Sequence, residues 1–537
     1  MSESFFRSFL AGGRDTQALL PAHFRDRQAR IAHTRRAAGR ALAPGLLEVI
    51  RNQNQAFASG AEKARNLEAI GRQGTAAVVT GQQLGLFLGP LYTVYKAATA
   101  ILVARQLEAE SGVRCVPIFW LQTEDHDFPE IDHCHILRSD GTRQTLRLTD
   151  RLGSAGERVS VKHRMLGEEC QALTDSLEDC LDDLPFAPEF IRVVREHYRP
   201  GHSLVRAFAG TLSAFFADEG LLFFDPREGA VSQLAAPIYR RALSDCEGVS
   251  GALLQRMAAL EGAGFETQVH VRSGCPLFFY HRLGPEGPRY RLERKDGAWT
   301  VVGGEESISS DALIRLLETE PLRLSSSALL RPIVQDYLLP TAAYVAGPAE
   351  VSYFAQLPPL YGLFGVPMPL VVPRARFRCL EPKASSLLGK LNLRPEEVEQ
   401  PEDALRRRLA TGSSADYPSA DAVKDDLMTE LSGRLERLQG IAQSVEPALL
   451  KAVQRTRATM ARAAERLSAR YGRALLEKDR VLVDRLGRLR NLLFPGGVPQ
   501  ERWDSLPYFA AKYGPAFKDG FKASLQPFAA ELRDVQL

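Results

Sequence analysis

The chain has 537 residues, 45% of them apolar and 25% charged, with a formal net charge of +3. That length exceeds one hydrophobic core and predicts two to four domains of ordinary globular type. The near-balanced charge gives no footing for nucleic acid or an anionic membrane surface. No apolar run reaches the ~18 residues of a spanning helix, and the amino end carries no apolar signal segment, so the expectation is a cytoplasmic protein that binds neither nucleic acid nor membrane. The seven cysteines are scattered without a C-x-x-C pair, which reads as reduced, small apolar residues rather than a disulfide framework.

Residues 1–70 read as a polar, helical subdomain. A core over 71–394 follows. Val78-Val79-Thr80 is a short strand that runs into the glycine-rich turn Gly81 to Pro90. Pro90 suits a first helical turn. Leu91, Val94, Ala98, Leu102 and Leu107 give a helical stripe, with Gly112 as its C-cap. Val116 to Leu121 is the return strand, closing a right-handed βαβ unit, and it empties into Glu124-Asp125-His126-Asp127. Residues 140–215 give no clear pattern. Leu221 to Phe224 reads as a strand ending in Asp225. Residues 276–325 read as an antiparallel insertion, with Asp296-Gly297 as a hairpin turn. A second βαβ unit comprises Thr341 to Ala346, the turn Gly347-Pro348-Ala349-Glu350, a helix broken near Pro358-Pro359, and Met368 to Val372, ending in Pro373-Arg374.

The composition of 395–420 is that of a linker. Residues 421–493 carry leucines and alanines at a and d spacing (Leu435, Leu438, Ala442, Val445, Leu449, then Leu475, Leu482, Leu489), as in an antiparallel coiled-coil arm. Pro447 is read as starting a helix and Gly472 as a break. The 15 Lys/Arg against 10 Asp/Glu of the arm are spread along it, as on a solvated coiled coil. Residues 494–537 are read as packing back on core or arm. The fold class is therefore α/β: a Rossmann-like parallel-sheet core with an antiparallel insertion, plus an α-helical coiled-coil domain.

The chemistry concentrates at the carboxyl ends of the strands, where open α/β sheets bind ligands. The turn from Thr80 to Pro90 is neither a P-loop nor G-x-G-x-x-G, yet its backbone N–H groups suit an anion, and Gln82, Gln83 and Gly85 lie in it. Lys96, two helical turns on, can reach back toward a phosphate or carboxylate, or be a solvated helix lysine. Glu124, Asp125 and Asp127 around His126 form a proton-transfer set, His126 being the candidate base and the carboxylates its orienting groups. A solvated acidic turn is the plain alternative. Arg331, Arg374 and Arg376 are candidate carboxylate or phosphate clamps. Glu350 can bind a ligand or complement a helix dipole. His126, Asp127, Asp132, His133 and His135 fall within ten residues but lack a fixed metal-ligand spacing, so no metal site is assigned.

Three long runs, VTGQQLGLFLGPLYTVYKA, WLQTEDHDFPEIDH and LLRPIVQDYLLPTAAYVAGPAEVSYFAQ, with FPGGVPQERW later, resemble the BshC family of bacillithiol-biosynthesis, cysteine-adding enzymes. They span about residues 78 to 510. The resemblance implies a cysteine ligase that joins the cysteine carboxyl to the amine of glucosaminyl-malate as an amide, and a homodimer formed through the coiled coil. It also implies a nucleotide (ATP or ADP) site, with Mg²⁺ undecided. Carried over by motif, Gln82, Gln83, Gly85, Lys96, Glu124 to Asp127, Gln335, Asp336, Gly347 and Glu350 line the crevice, and Arg490, Asn491, Gln500 and Glu501 border the nucleotide. Trp120 is a further substrate-binding candidate, and Arg331 or Arg374 would hold the malate carboxylates. Two other classes stay open. A nucleotidyl transferase related to class I aminoacyl-tRNA synthetases would use the arm for RNA, although H-I-G-H and K-M-S-K-S are absent. A non-catalytic coiled-coil scaffold would need no acidic cluster at a sheet edge.

Overall fold

Short runs of valine, alanine, leucine and phenylalanine, buried on both faces, make a five-stranded parallel sheet in a computed structural model. The strands are β1 (Thr75–Gln82), β2 (Arg114–Leu121), β3 (Leu222–Phe224), β4 (Thr341–Ala346) and β5 (Leu370–Pro373). They lie in the order β5-β4-β1-β2-β3, all parallel, with Thr80 paired to both Val345 and Phe119. The direction of winding thus reverses at β1, and the carboxyl ends of β1 and β4 flank the switch point. The structure describes residues 5–20, 22–57, 60–152, 158–295, 297–304, 306–410, 418–446, 448–478 and 480–537, side chains at 407, 410 and 475–480 excepted. Two units result: Met1–Phe377 with Asp504–Val535, and Arg378–Trp503 with Gln536–Leu537.

In the first unit, α1 (Tyr92–Ser111) connects β1 to β2 and ends at Gly112 in the left-handed conformation. The sequence suggested a one-sided stripe. Instead every residue from Thr93 to Ile101 is buried, because the sheet and the helix Arg27–Ala38 both pack on α1. The turn before α1 is equally enclosed. Gly85 and Gly89 meet backbone to backbone: a Cβ on Gly85 would lie 2.8 Å from the Gly89 Cα. Between β4 and β5 the helix is broken as expected, into α3 (Pro348–Phe354) and a second helix, Pro358–Phe364. It is preceded by α2 (Arg331–Leu338).

The antiparallel insertion is a second five-stranded sheet, ordered Leu324–Ser326, Phe278–His281, Arg289–Lys295, Ala298–Val301, Ser307–Ile308. Lys295 pairs with Ala298 around Gly297; Asp296 lies outside the described residues. The stretch that gave no pattern holds the strand Arg143–Arg147, which forms a hairpin with His133–Leu137 just before it, and three helices, Glu169–Leu181, Ala187–His197 and Leu204–Phe215.

The second unit corrects several expectations. It starts at Arg378, and the supposed linker contains a 3-10 turn, Pro395–Glu399, and a helix, Glu402–Ala410; residues 411–417 lie outside the described residues. Ala420–Val445 and Leu449–Lys478 run antiparallel, tied by Ser468 Oγ donating to the Ala420 carbonyl (2.7 Å) and by Arg457 beside Glu436. Gly472 is no break, since the helix runs through it. Pro447 and the Leu475 side chain lie outside the described residues. Only part of the expected stripe is covered: Leu435 and Ala442 are buried, while Leu438, Val445 and Leu449 are exposed. The 494–537 segment is divided, 494–503 belonging to this unit and 504–535 to the first. Among the described residues no helix is long and apolar enough to cross a membrane.

Gly85→Ala is expected to destabilise the first unit by about 1–3 kcal/mol, since the methyl must displace backbone. Gly362→Ala, where nothing lies within 4 Å, is the control and should not destabilise. Urea denaturation of both variants checks this.

Candidate active site

At the switch point, Lys96 on α1 and Glu350 on α3 form an ion pair, their side chains 3% and 14% exposed. Lys96 Nζ also donates to the Gly81 carbonyl (2.8 Å) and to Gln82 Oε1 (3.0 Å). Glu350 accepts from the Gly347 N–H (2.7 Å) and from the Tyr344 hydroxyl (2.8 Å). Burial alone would raise the Glu350 pKa, but the Lys96 ammonium and the Gly347 N–H together hold it below the ordinary range. Burial opposes the Lys96 charge, yet three acceptors converge on its ammonium, so the pair is ionic. Arg331 donates to the Tyr353 hydroxyl (2.6 Å), and Arg374 lies over the Tyr92 ring, its centroid 5.6 Å away. A Cβ on Gly347 would touch Lys96, Glu350 and Arg374. The expected residues Gln82, Lys96, Gly347, Glu350, Arg331 and Arg374 are therefore brought together here, but Lys96 and Glu350 are engaged with each other.

The glycine turn does not form an anion cradle. Its N–H groups go to internal acceptors: Gly85 to Gln83 O, Leu88 to Gly85 O, Gly89 to Leu86 O and Phe87 to the Tyr198 hydroxyl. Gly85 and the residues around it are packed core.

A second cluster forms past the ends of β2 and β3, against the antiparallel sheet. Asp125 accepts from Gln83 Nε2 (2.7 Å) and from Arg289 Nη2 (2.9 Å). Burial alone would raise the Asp125 pKa; His126, Arg289 and Gln83 hold it far below the usual carboxylate range. Arg289 also directs Nε (3.0 Å) and Nη2 (2.6 Å) at His126 Nδ1. A guanidinium can only donate, so Nδ1 is the acceptor and the neutral ring carries its proton on Nε2. The expected carboxylate partner, Asp125, does lie 3.4 Å from the same Nδ1, but the guanidinium takes the lone pair there. Asp127 is exposed and takes no part. Glu124 accepts from the Ser326 hydroxyl and lies 3.3 Å from the Ser326 N–H. Burial raises its pKa above the ordinary range, against Ser326, Arg227 and Arg289. It nonetheless keeps some exposed surface.

Other expected residues are structural. Trp120 is fully buried and stacked on Phe224. Gln335 and Asp336 are fully buried; Asp336 accepts from the Tyr361 hydroxyl (2.5 Å) and from Gln335 Nε2 (2.9 Å). In the second unit, Arg490 donates to the carbonyls of Val398 and Gln400 (both 2.8 Å). Gln500 accepts from the Cys379 N–H (2.8 Å) and Glu501 is buried, while Asn491 is exposed. Arg490 and Gln500 thus bond the backbone of their own unit. His133 and His135 do share a strand face, but His133 pairs with Asp132 and His135 with Thr145. Among the described residues no group of three or more His, Cys, Asp or Glu could hold a metal. The sequence reading missed Arg289, Ser326 and Arg227. Arg227 follows a strand that already pointed at the ligand edge, and Ser326 sits in a serine triplet between apolar runs. Arg289 carried no signal.

The model of the bacillithiol biosynthesis BshC N-terminal Rossmann-like domain matches residues 2–375, and that of the BshC C-terminal coiled-coil domain matches 377–535. The chain belongs to the BshC family. Relatives named "Putative cysteine ligase BshC" include those of Koribacter versatilis (34% identical, covering 86% of this chain and 84% of the relative) and Salinibacter ruber (31%, covering 94% and 91%). That of Chlorobaculum tepidum is 30% identical, covering 90% and 87%. The boundary between the two BshC domain models falls beside the Phe377–Arg378 division seen in the fold, although residues 504–535 fold with the first unit.

Two outcomes follow for this BshC chain. Glu350→Gln leaves the Lys96 charge buried without a counter-ion and is expected to cost about 3–5 kcal/mol. Combining it with Lys96→Met should restore most of that loss in urea denaturation. Burial pushes the Asp336 carboxyl up to about 6, against ~3.9 for an unfolded aspartate. Between these values the native state holds a proton that the unfolded state releases, so this contribution to stability falls as pH rises from about 4 to 6. Asp336→Asn should flatten the melting temperature across that window.

Proposed function

We propose that this protein joins the carboxyl of cysteine to the amine of glucosaminyl-malate, forming an amide in bacillithiol biosynthesis. Membership of the BshC family and the names of its relatives support the ligase class. The observation that carries the reaction step is Glu124, a desolvated carboxylate with a raised pKa at the carboxyl edge of the sheet. Amide formation needs a base that takes a proton from the attacking amine and a donor for the developing oxyanion.

The amine nitrogen of the sugar attacks the carbonyl carbon of the activated cysteinyl group. A C–N bond forms, and the carbonyl π pair moves to oxygen. Glu124 takes the proton that the nitrogen must lose. As the tetrahedral centre collapses, the C–O bond to the activating group breaks and its electron pair leaves on that oxygen. His126, held by Arg289 with its proton on Nε2, supplies an N–H for the oxyanion. The Lys96–Glu350 pair fixes the neighbouring wall of the crevice. Glu124, rather than His126, is thus the proposed base, because the Nδ1 position that would tune His126 is taken by a cation.

Purified protein incubated with cysteine and glucosaminyl-malate, with and without ATP and Mg²⁺, should yield the cysteinyl amide by mass spectrometry; the omissions decide whether ATP activates the carboxyl. Glu124→Gln keeps the size and the Ser326 contact but cannot accept a proton, and should lower kcat by about 100-fold or more. Folded Glu124→Gln with near-normal kcat would remove Glu124 from the role of base.

A further inference from the structure

Arg227 lies just beyond β3 and is 3% exposed. Its Nη2 donates to the Pro285 carbonyl. His281 Nδ1 is 3.3 Å from the same Nη2 but cannot accept, because it sits 2.9 Å from the Gly287 carbonyl and carries its proton there. Nε and Nη1 of Arg227, and Nε2 of His163, meet no partner among the described residues. Three of the acids at this edge are already bonded. Asp225 accepts from the Thr123 hydroxyl (2.5 Å) and the Arg227 N–H (3.0 Å) and pairs with Lys162. Glu124 is bonded to Ser326, and Asp125 to Arg289 and Gln83. A buried guanidinium with unmet donors is costly, and such groups are rare in folded proteins unless something else satisfies them.

The sequence reading placed the substrate carboxylates on Arg331 or Arg374. Arg331 is instead occupied by Tyr353, and Arg374 Nη1 donates to the Ala375 carbonyl (3.0 Å). Arg227 retains unmet donors at Nε and Nη1, on either side of the Nη2 that the Pro285 carbonyl holds; once that carbonyl moves away, Nη2 and its neighbour make the parallel N–H pair that a carboxylate takes. The turn of residues 282–288 lies over it, joining Phe278–His281 to Arg289–Lys295 and touching Arg227 through Pro285 and His281 through Gly287. It contains Gly284 at φ +103° and exposes Leu283. We propose that Arg227 forms a carboxylate-binding site under this turn, taking a carboxylate of the malate half of the amine substrate. The assignment rests on the acylation reading above for the identity of the ligand. The ligand enters as the turn lifts and takes the place of the Pro285 carbonyl on the guanidinium.

L-malate alone is the probe. Titrated into the full chain, it should slow amide hydrogen exchange in residues 282–288 and give a saturable calorimetric signal. Arg227→Gln should weaken that binding by about 30-fold or more, and Arg227→Lys, which keeps the charge but not the fork, should fall between. In the ligation assay Arg227→Gln should raise KM for glucosaminyl-malate far more than it lowers kcat. If Arg227→Gln does not fold, the exchange experiment on the unaltered protein and the lysine variant decide. Absence of malate protection at 282–288, or equal malate binding by wild type and a folded Arg227→Gln, overturns the site. Malate binding that depends on Arg227 in a protein that makes no amide would leave the site standing and remove the acylation reading.

Discussion

The buried Lys96–Glu350 ion pair is the constraint around which the first unit is arranged. An ammonium and a carboxylate out of water must face each other, and here they sit on the two helices that leave the central strands in opposite directions. Meeting that demand fixes α1 against α3 and closes the wall between the ends of β1 and β4. The remaining hydrogen-bonding capacity is filled by Gly81, Gln82, Gly347 and Tyr344. A residue with a Cβ at position 347 would lie in van der Waals contact with both members of the pair.

That closure divides the carboxyl edge into two flanks of different character. On the β1–β4 flank Lys96 and Glu350 are satisfied by each other, while Arg331 and Arg374 bond neutral oxygens and leave an excess of positive charge. The β2–β3 flank is held differently. There Glu124 is desolvated, its charge held by Ser326, Tyr239 and more distant arginines, and Arg227 has donors that meet no partner among the described residues. Groups whose protonation is displaced from the ordinary range, beside unmet donors, mark where a ligand completes the electrostatics. The chemistry is accordingly assigned to the flank beside the antiparallel sheet, although the switch point itself lies next door.

The insertion is what makes this flank. Arg289 and Ser326 come from its strands, and without them the Glu124–His126 segment would be an acidic turn in water. Arg289 reverses the reading of His126: an acid–histidine–acid run suggests a carboxylate-oriented base, but a guanidinium on Nδ1 makes the ring a donor instead.

Much of the architecture was legible in the chain. The two βαβ units, the insertion with its hairpin, the break near Pro358 and the helical arm all rest on local signals: period, turn residues and proline, which act over a few residues. The same locality placed Glu124 to His126, Gln82 and Lys96 at one sheet edge. The structure decided what each group touches. Whether the glycine turn binds an anion depended on where its N–H groups go, and they go to its own carbonyls and to Tyr198. Whether Trp120, Gln335 and Asp336 face ligand or core depended on packing from elements far away in sequence. Arg289 meets His126 across 163 residues, and no local pattern encodes such a meeting. The sequence determined the elements and the edge because those follow from short-range sterics and hydrophobic period. The tertiary structure alone decided which charges are neutralised and which remain for a ligand, because the field at a buried group is set by whatever the fold brings within a few ångströms of it.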